Sequence, residues 1–340
     1  MNNNSSLHLR RRFLQIAGTT AAWWGIGAGR VFAQQAGAPA EKAPGQLRIG
    51  YQKSAVNLVI LKQQGVLEKR FPNTRIQWAE FPAGPQLLEA LSVGSLEFGL
   101  TGDSPPVFAQ AAGKDLLYVG AEPPKPDSSA ILVLNDSPLK TLADLKGRKI
   151  ALQKGSSAHY LLVRAVEKAG LQWSDVQPIY LPPADARAAF ERKSVDAWAI
   201  WDPFYAATEL AIQPRTLVTG RELSSNNSFY LASRSFATQH GQALTTLLED
   251  LSRADAFAQN QRKETIKLIA SFSGLDAGVV SLFIQRRPRS PVSPLSAATV
   301  ADQQRVADAF LKLGLIPKPI RVADIVWRPE AARLARLDRK

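Results

Sequence analysis

Cysteine is absent from all 340 residues. That excludes a disulfide framework, a thiolate metal site, a cysteine nucleophile and an acylated cysteine anchor at an exported N-terminus. Histidine is scarce: His8, His159 and His240 are the three present, and no two stand at metal-ligand spacing. A histidine-based triad and a multi-histidine metal centre are therefore disfavoured, and neither a metal nor a cofactor is expected. No Lys/Arg run tracks a nucleic-acid backbone, although the formal charge is +13. Arg10, Arg11, Arg12 and Arg30 supply four of those charges within the first 33 residues, which hold no acid, leaving +9 for the rest. There acids and bases are interspersed, so the surface attracts anions mildly and no nucleic-acid partner is expected. No internal repeat at a fixed period is visible.

The N-terminus reads as a targeting segment. Arg10-Arg11-Arg12-Phe13-Leu14 resembles a twin-arginine export motif, and Ile16 to Ile26 is apolar but too short and too rich in Gly and Ala to span a bilayer. Val31-Phe32-Ala33 offers small residues at the cleavage positions, so residues 1–33 are expected to be a cleaved signal. Residues 34–45, rich in Ala, Gly and Pro, are expected to be a flexible leader.

Beyond residue 46 short apolar runs alternate with helical spacing, which predicts α/β architecture with mostly parallel sheets. The clearest unit runs from Lys149 to Gly170. Lys149–Leu152 is a buried strand, Gly155 turns the chain, Ser156 or Ser157 caps a helix, and Gly170 ends it. Such a junction points backbone N–H groups outward at the positive end of a helix dipole, where an anion sits well. The alternative is a plain capped turn.

Four loops follow strand ends: Gln52-Lys53-Ser54, Gly102-Asp103-Ser104, Gly155-Ser156-Ser157 and Trp201-Asp202-Pro203. Ligands of open α/β sheets collect at such positions. These loops are rich in N–H donors and hydroxyls and poor in nucleophile–base pairs, which suits binding an anion without transforming it. Trp201 either plates a ligand tail or joins the core, and Asp202 either caps the next helix or orients an amine. Lys53 and Lys154 either pair with the anion or are solvated. His159 faces the cleft or the surface, Asp103 is a cap or an acid, and Arg187 anchors a loop.

Taken together, LRIGYQK, EFPAGPQLLEAL, TGDSPPVFAQAAG, YVGAEPPKP, LADLKGRKIALQKGSSAH, PADARAAF and VDAWAIWDPF resemble the substrate-binding proteins of aliphatic-sulfonate ABC importers. The resemblance covers most of the chain after the leader. It implies a two-lobed periplasmic-binding-protein (type II) fold that grips a sulfonate between its lobes and delivers it to a membrane permease with its ATPase. Relatives bind taurine, nitrate, bicarbonate or pyrimidine precursors. A sulfinate-cleaving enzyme shares the fold but uses a cysteine, which this chain lacks. Lobe one would be 46–134 plus 226–340 and lobe two 135–225, with Ala130–Leu134 crossing between them and C-terminal helices padding the first. The ligand-binding residues would be Gln52, Lys53, Ser54, Gly102, Asp103, Ser104, Gly155, Ser156, Ser157, His159, Trp201 and Asp202. Main-chain N–H groups of Gly155, Ser156 and Ser157 would hold the sulfonate, and the protein would act as a soluble periplasmic monomer.

Overall fold

Short runs of branched and aromatic residues bounded by Gly, Pro and Asp become strands in the computed structural model, which describes residues 43–221 and 223–329. The expected signal, and the leader up to residue 42, lie outside the described residues. The strands are β1 (Gln46–Tyr51), β2 (Arg75–Glu80), β3 (Phe98–Gly102), β4 (Leu116–Glu122), β5 (Ser129–Val133), β6 (Lys149–Leu152), β7 (Gln177–Tyr180), β8 (Ala197–Trp201), β9 (Arg215–Thr219) and β10 (Ser228–Ser233). They form two sheets, ordered β2-β1-β3-β10-β4 and β7-β6-β8-β5-β9. Each sheet is the floor of one lobe.

The sheets are mixed, a correction to the mostly parallel arrangement expected. β1 pairs in parallel with β2 and β3, and β6 with β7 and β8. β10 runs antiparallel to β3 and β4, and β5 antiparallel to β8 and β9. The two antiparallel strands are the first that the chain lays down after each passage between lobes. Arriving from the other lobe, they enter their sheet from the opposite end.

The first passage also lies earlier than expected. Ser129–Val133 is already inside the second sheet, paired on both sides, so Ala130–Leu134 does not cross between lobes. Pro123-Pro124-Lys125-Pro126 makes the passage, because prolines cannot donate to a ladder and free the segment from either sheet. The chain returns between Thr219 and Ser228.

Helices cover both sheets. They are α1 (Val56–Gln64), α2 (Val66–Arg70), α3 (Gly84–Ser92), α4 (Ser104–Ala111), α5 (Ser157–Lys168) and α6 (Pro183–Glu191). α7 (Phe204–Ile212), α8 (Arg234–Gln239), α9 (Gly241–Asn260), α10 (Arg262–Ser273), α11 (Ala277–Arg286) and α12 (Ala297–Lys312) follow. In α5, Leu161, Leu162, Ala165 and Val166 fall on one face and are buried against the second sheet. Each large apolar side chain buried this way contributes roughly 1.5–3 kcal/mol. Gly170 follows the helix with φ +69°, a conformation that side-chain-bearing residues resist. α6 packs on the opposite face of that sheet with Phe190 against Trp198. α9, α10 and α11 join α1 over the first sheet. α12 instead meets α4 and α5, so Phe310, Val107 and Tyr160 form a cluster spanning both lobes.

Candidate functional site

Strand ends from both sheets converge on one small, partly open cavity of about 60 Å³. A water needs roughly 10–15 Å³ of such volume, so the space suits a head group of a few heavy atoms. Gln52 and Ser54 follow β1, Gly102 ends β3, Ser156 and Ser157 open α5, Trp201 ends β8 and Asp202 follows it; all seven line the cavity. Lys125, Asn226, Phe283 and Arg287 line it as well, none of which the sequence singled out.

The remaining expected residues sit elsewhere. Lys53 donates through Nζ to the Ser273 carbonyl at 3.1 Å, which is why it turns from the cleft. Asp103 and Ser104 are buried behind the cavity wall, with Ser104 Oγ donating to Asp103 Oδ1 at 2.8 Å. Gly155, at φ +72°, lies against Phe108. His159 is fully buried among Phe108 and Phe310 of the first lobe and Trp173 and Tyr180 of the second. It faces neither cleft nor solvent. Lys154 places its ammonium 5.4 Å from the Tyr180 ring centre, and Arg187 pairs with Glu191 at 2.7 Å rather than with loop carbonyls.

The helix-start cup is narrower than expected. Gly155 N–H donates to His159 Nδ1 at 3.2 Å, and Ser156 N–H to the Gln153 carbonyl at 3.2 Å. Ser156 Oγ also donates to Gln153, at 2.8 Å, so no side chain caps the helix. The N–H groups of Ser157 and Ala158 have no acceptor among the described residues and remain available at the positive end of the dipole.

Two cations reach the cavity, yet both are already neutralised. Lys125 Nζ is 2.7 Å from Glu122, and Arg287 binds Asp255 at 2.7 Å and Asn57 at 2.9 Å. Burial raises the Glu122 carboxyl, but Lys125 and Arg287 outweigh it and hold Glu122 below its ordinary range. Burial lowers the Lys125 ammonium despite Glu122. With its cations paired, the site offers an anion dipoles rather than a free point charge.

The acids differ. Burial pushes Asp103 up to about 6, against hydrogen bonds from Ser104 and Ser157. Burial pushes Asp202 up to about 7, against Arg286. Asp202 Oδ1 accepts from Ala206 N–H at 3.0 Å, while Oδ2 has no partner among the described residues. Among those residues no cluster of three or more His, Cys, Asp or Glu could hold a metal ion, and no helix is long and apolar enough to cross a membrane. Where the sequence failed, the cause is distance along the chain. Arg287 and Phe283 come from a C-terminal segment with no local motif, whereas the prolines flanking Lys125 were a usable signal.

Residues 80–265 match the family described as NMT1/THI5 like. Over 290 residues the chain is 51% identical to an Escherichia coli (strain K12) protein named for binding aliphatic sulfonates, covering 85% of this chain and 91% of that one. A Bacillus subtilis (strain 168) protein of the same name is 32% identical, covering 83% and 85%. The alkanesulfonate-binding protein SsuA of Xanthomonas axonopodis pv. citri, solved bound to MOPS, matches with a TM-score of 0.82 and 52% identity, covering 84% and 99%. At this identity over nearly the full length of such proteins, the chain belongs to the aliphatic-sulfonate-binding proteins of the NMT1/THI5-like family.

Proposed function

We propose that this protein captures small aliphatic sulfonates outside the cytoplasm and hands them to the permease of an ABC importer for sulfur acquisition. The observation that carries this reading is the small cavity between the lobes, lined by hydroxyls and a helix start, with both of its cations already paired. A sulfonate stays ionised at any ambient pH, so neutral donors can hold it, each charge-assisted hydrogen bond contributing roughly 1.5–3 kcal/mol. Trp201 and Phe283 supply apolar surface for the alkyl part. The relatives' names support the ligand class.

The protein acts as a binding protein and not as an enzyme, a reading supported by the lack of cysteine. It works as a soluble monomer in the periplasm, exported by the twin-arginine segment and cut after Ala33. Lobe two is taken as residues 123–227, set within a first lobe made of the flanking chain.

Thermal shift and calorimetry with methane-, ethane- and butanesulfonate, taurine, sulfate and nitrate test the ligand class. Each added methylene that is buried should strengthen binding by about 0.8 kcal/mol. Equal affinity for sulfate and butanesulfonate would refute the reading, and turnover of any sulfonate would refute the non-catalytic role.

A further inference from the structure

Asp202 poses a problem for an anion site: it is a buried carboxylate in the wall of the cavity. Arg286, the last residue of α11, reaches it from the other lobe. Its Nη1 is 3.2 Å from Asp202 Oδ1, its Nη2 pairs with Glu209 of α7, and its guanidinium lies 3.8 Å from the Tyr205 ring centre. The arginine side chain is only 14% exposed. α11 belongs to the first lobe through Val279, Val280, Phe283 and Ile284, whereas Asp202 and Glu209 lie between β8 and β9 of the second. Arg286 itself does not line the cavity.

We propose that Arg286 is a positioning residue for ligand capture, a cross-lobe clasp that holds the Trp201-Asp202 wall shut and offsets its negative charge. The inference rests on reading the cavity as a sulfonate site. Three groups of the second lobe meet one guanidinium, and all three contacts are lost together if the lobes part. Closing therefore gains a charge-paired contact whose guanidinium lies outside the cavity. The same guanidinium lets a carboxylate stand beside a bound anion, because it answers the charge of Asp202 from outside the cavity. A planar, permanently charged fork suits two acids and an aromatic face at once, which a lysine does not reproduce.

The test compares wild type, Arg286→Gln, Arg286→Lys, Glu209→Gln and the double variant Arg286→Gln/Glu209→Gln, all as the exported mature protein with butanesulfonate. Truncating one partner of a largely buried charge pair acts mainly on the dissociation rate, and Glu209 is partly exposed, so the expected loss for Arg286→Gln is roughly 10- to 100-fold. Most of it should appear in the off-rate by stopped flow. Glu209→Gln should lose less, Arg286→Lys should recover part, and the double variant should be no weaker than Arg286→Gln alone. A residue that merely supports the fold would lower the thermal midpoint of the free protein and leave the dissociation constant alone. A dissociation constant for Arg286→Gln within twofold of wild type overturns the clasp. If wild type itself binds no alkanesulfonate, the ligand reading fails separately. Small-angle scattering then decides the clasp: a larger radius of gyration for Arg286→Gln upholds it, and an unchanged one overturns it.

Discussion

Gly102 ends β3 in the first lobe and faces the start of α5 in the second. A Cβ built on it would lie 1.9 Å from Ser157 Oγ and 3.2 Å from Ser157 Cβ. Its φ is not among the positive ones, so alanine suits the backbone and the perturbation is confined to the contact. To admit the methyl, the Ser157 hydroxyl must rotate away and give up its hydrogen bond to the buried Asp103. A hydrogen bond to a charged group contributes about 1.5–3 kcal/mol, so Gly102→Ala should weaken sulfonate binding roughly 10- to 150-fold. Ser157→Ala removes the same bond without the clash and should lose a similar amount. In the double variant the offending oxygen is gone and the Cβ at 3.2 Å needs a shift of only a few tenths of an ångström. The double variant should therefore bind about as well as either single one. Calorimetry with butanesulfonate measures all three. Gly102→Ala binding like wild type, or two losses that simply add, would refute the idea that this contact closes the lobes.

Burial, and after it Lys154, drives the His159 imidazole down to about 3. Below the ordinary value near 6.5 the unfolded chain takes up a proton that the folded chain refuses, so stability falls as pH drops. Between pH 7.5 and 5 the urea-unfolding free energy of wild type should drop by about 2 kcal/mol more than that of His159→Phe; parallel profiles would refute this. Asp255→Ala takes from the buried Arg287 its nearest ion-pair partner, leaving only Glu122 at 3.8 Å, and should cost about 3–5 kcal/mol in the same measurement. Changing both Arg10 and Arg11 to Lys should retain precursor in the cytoplasm on cell fractionation, and normal export would count against the twin-arginine route.

Local chemistry was readable and long-range packing was not. The strand, glycine turn and helix from Lys149 to Gly170 follow from spacing alone, because each residue acts on its neighbours. β9 escaped notice because Arg215–Thr219 is a half-buried edge strand without a fully apolar run. The first passage was misplaced because Ser129–Val133 is as apolar as any strand, and nothing in it tells which sheet it joins. Helical periodicity leaves His159 facing cleft or surface, because it cannot see Phe108 and Phe310 arriving from the other lobe. The same holds for Arg287, whose partner Asp255 on α9 meets it only through the fold.

The place of β10 has a consequence for the order in which the protein can assemble. β10 fills the slot between β3 and β4, with Ser228 beside both Gly102 and Glu122. Everything the second sheet needs is contiguous from β5 to β9 and leaves the ribosome before β10 does. The first sheet must wait with β3 and β4 unjoined until residue 228 and its successors have been synthesised. At about 5–20 residues per second, that wait is on the order of ten seconds. During it, the facing edges of β3 and β4 are the unpaired backbone most open to wrong partners. The half of the molecule that starts first finishes last.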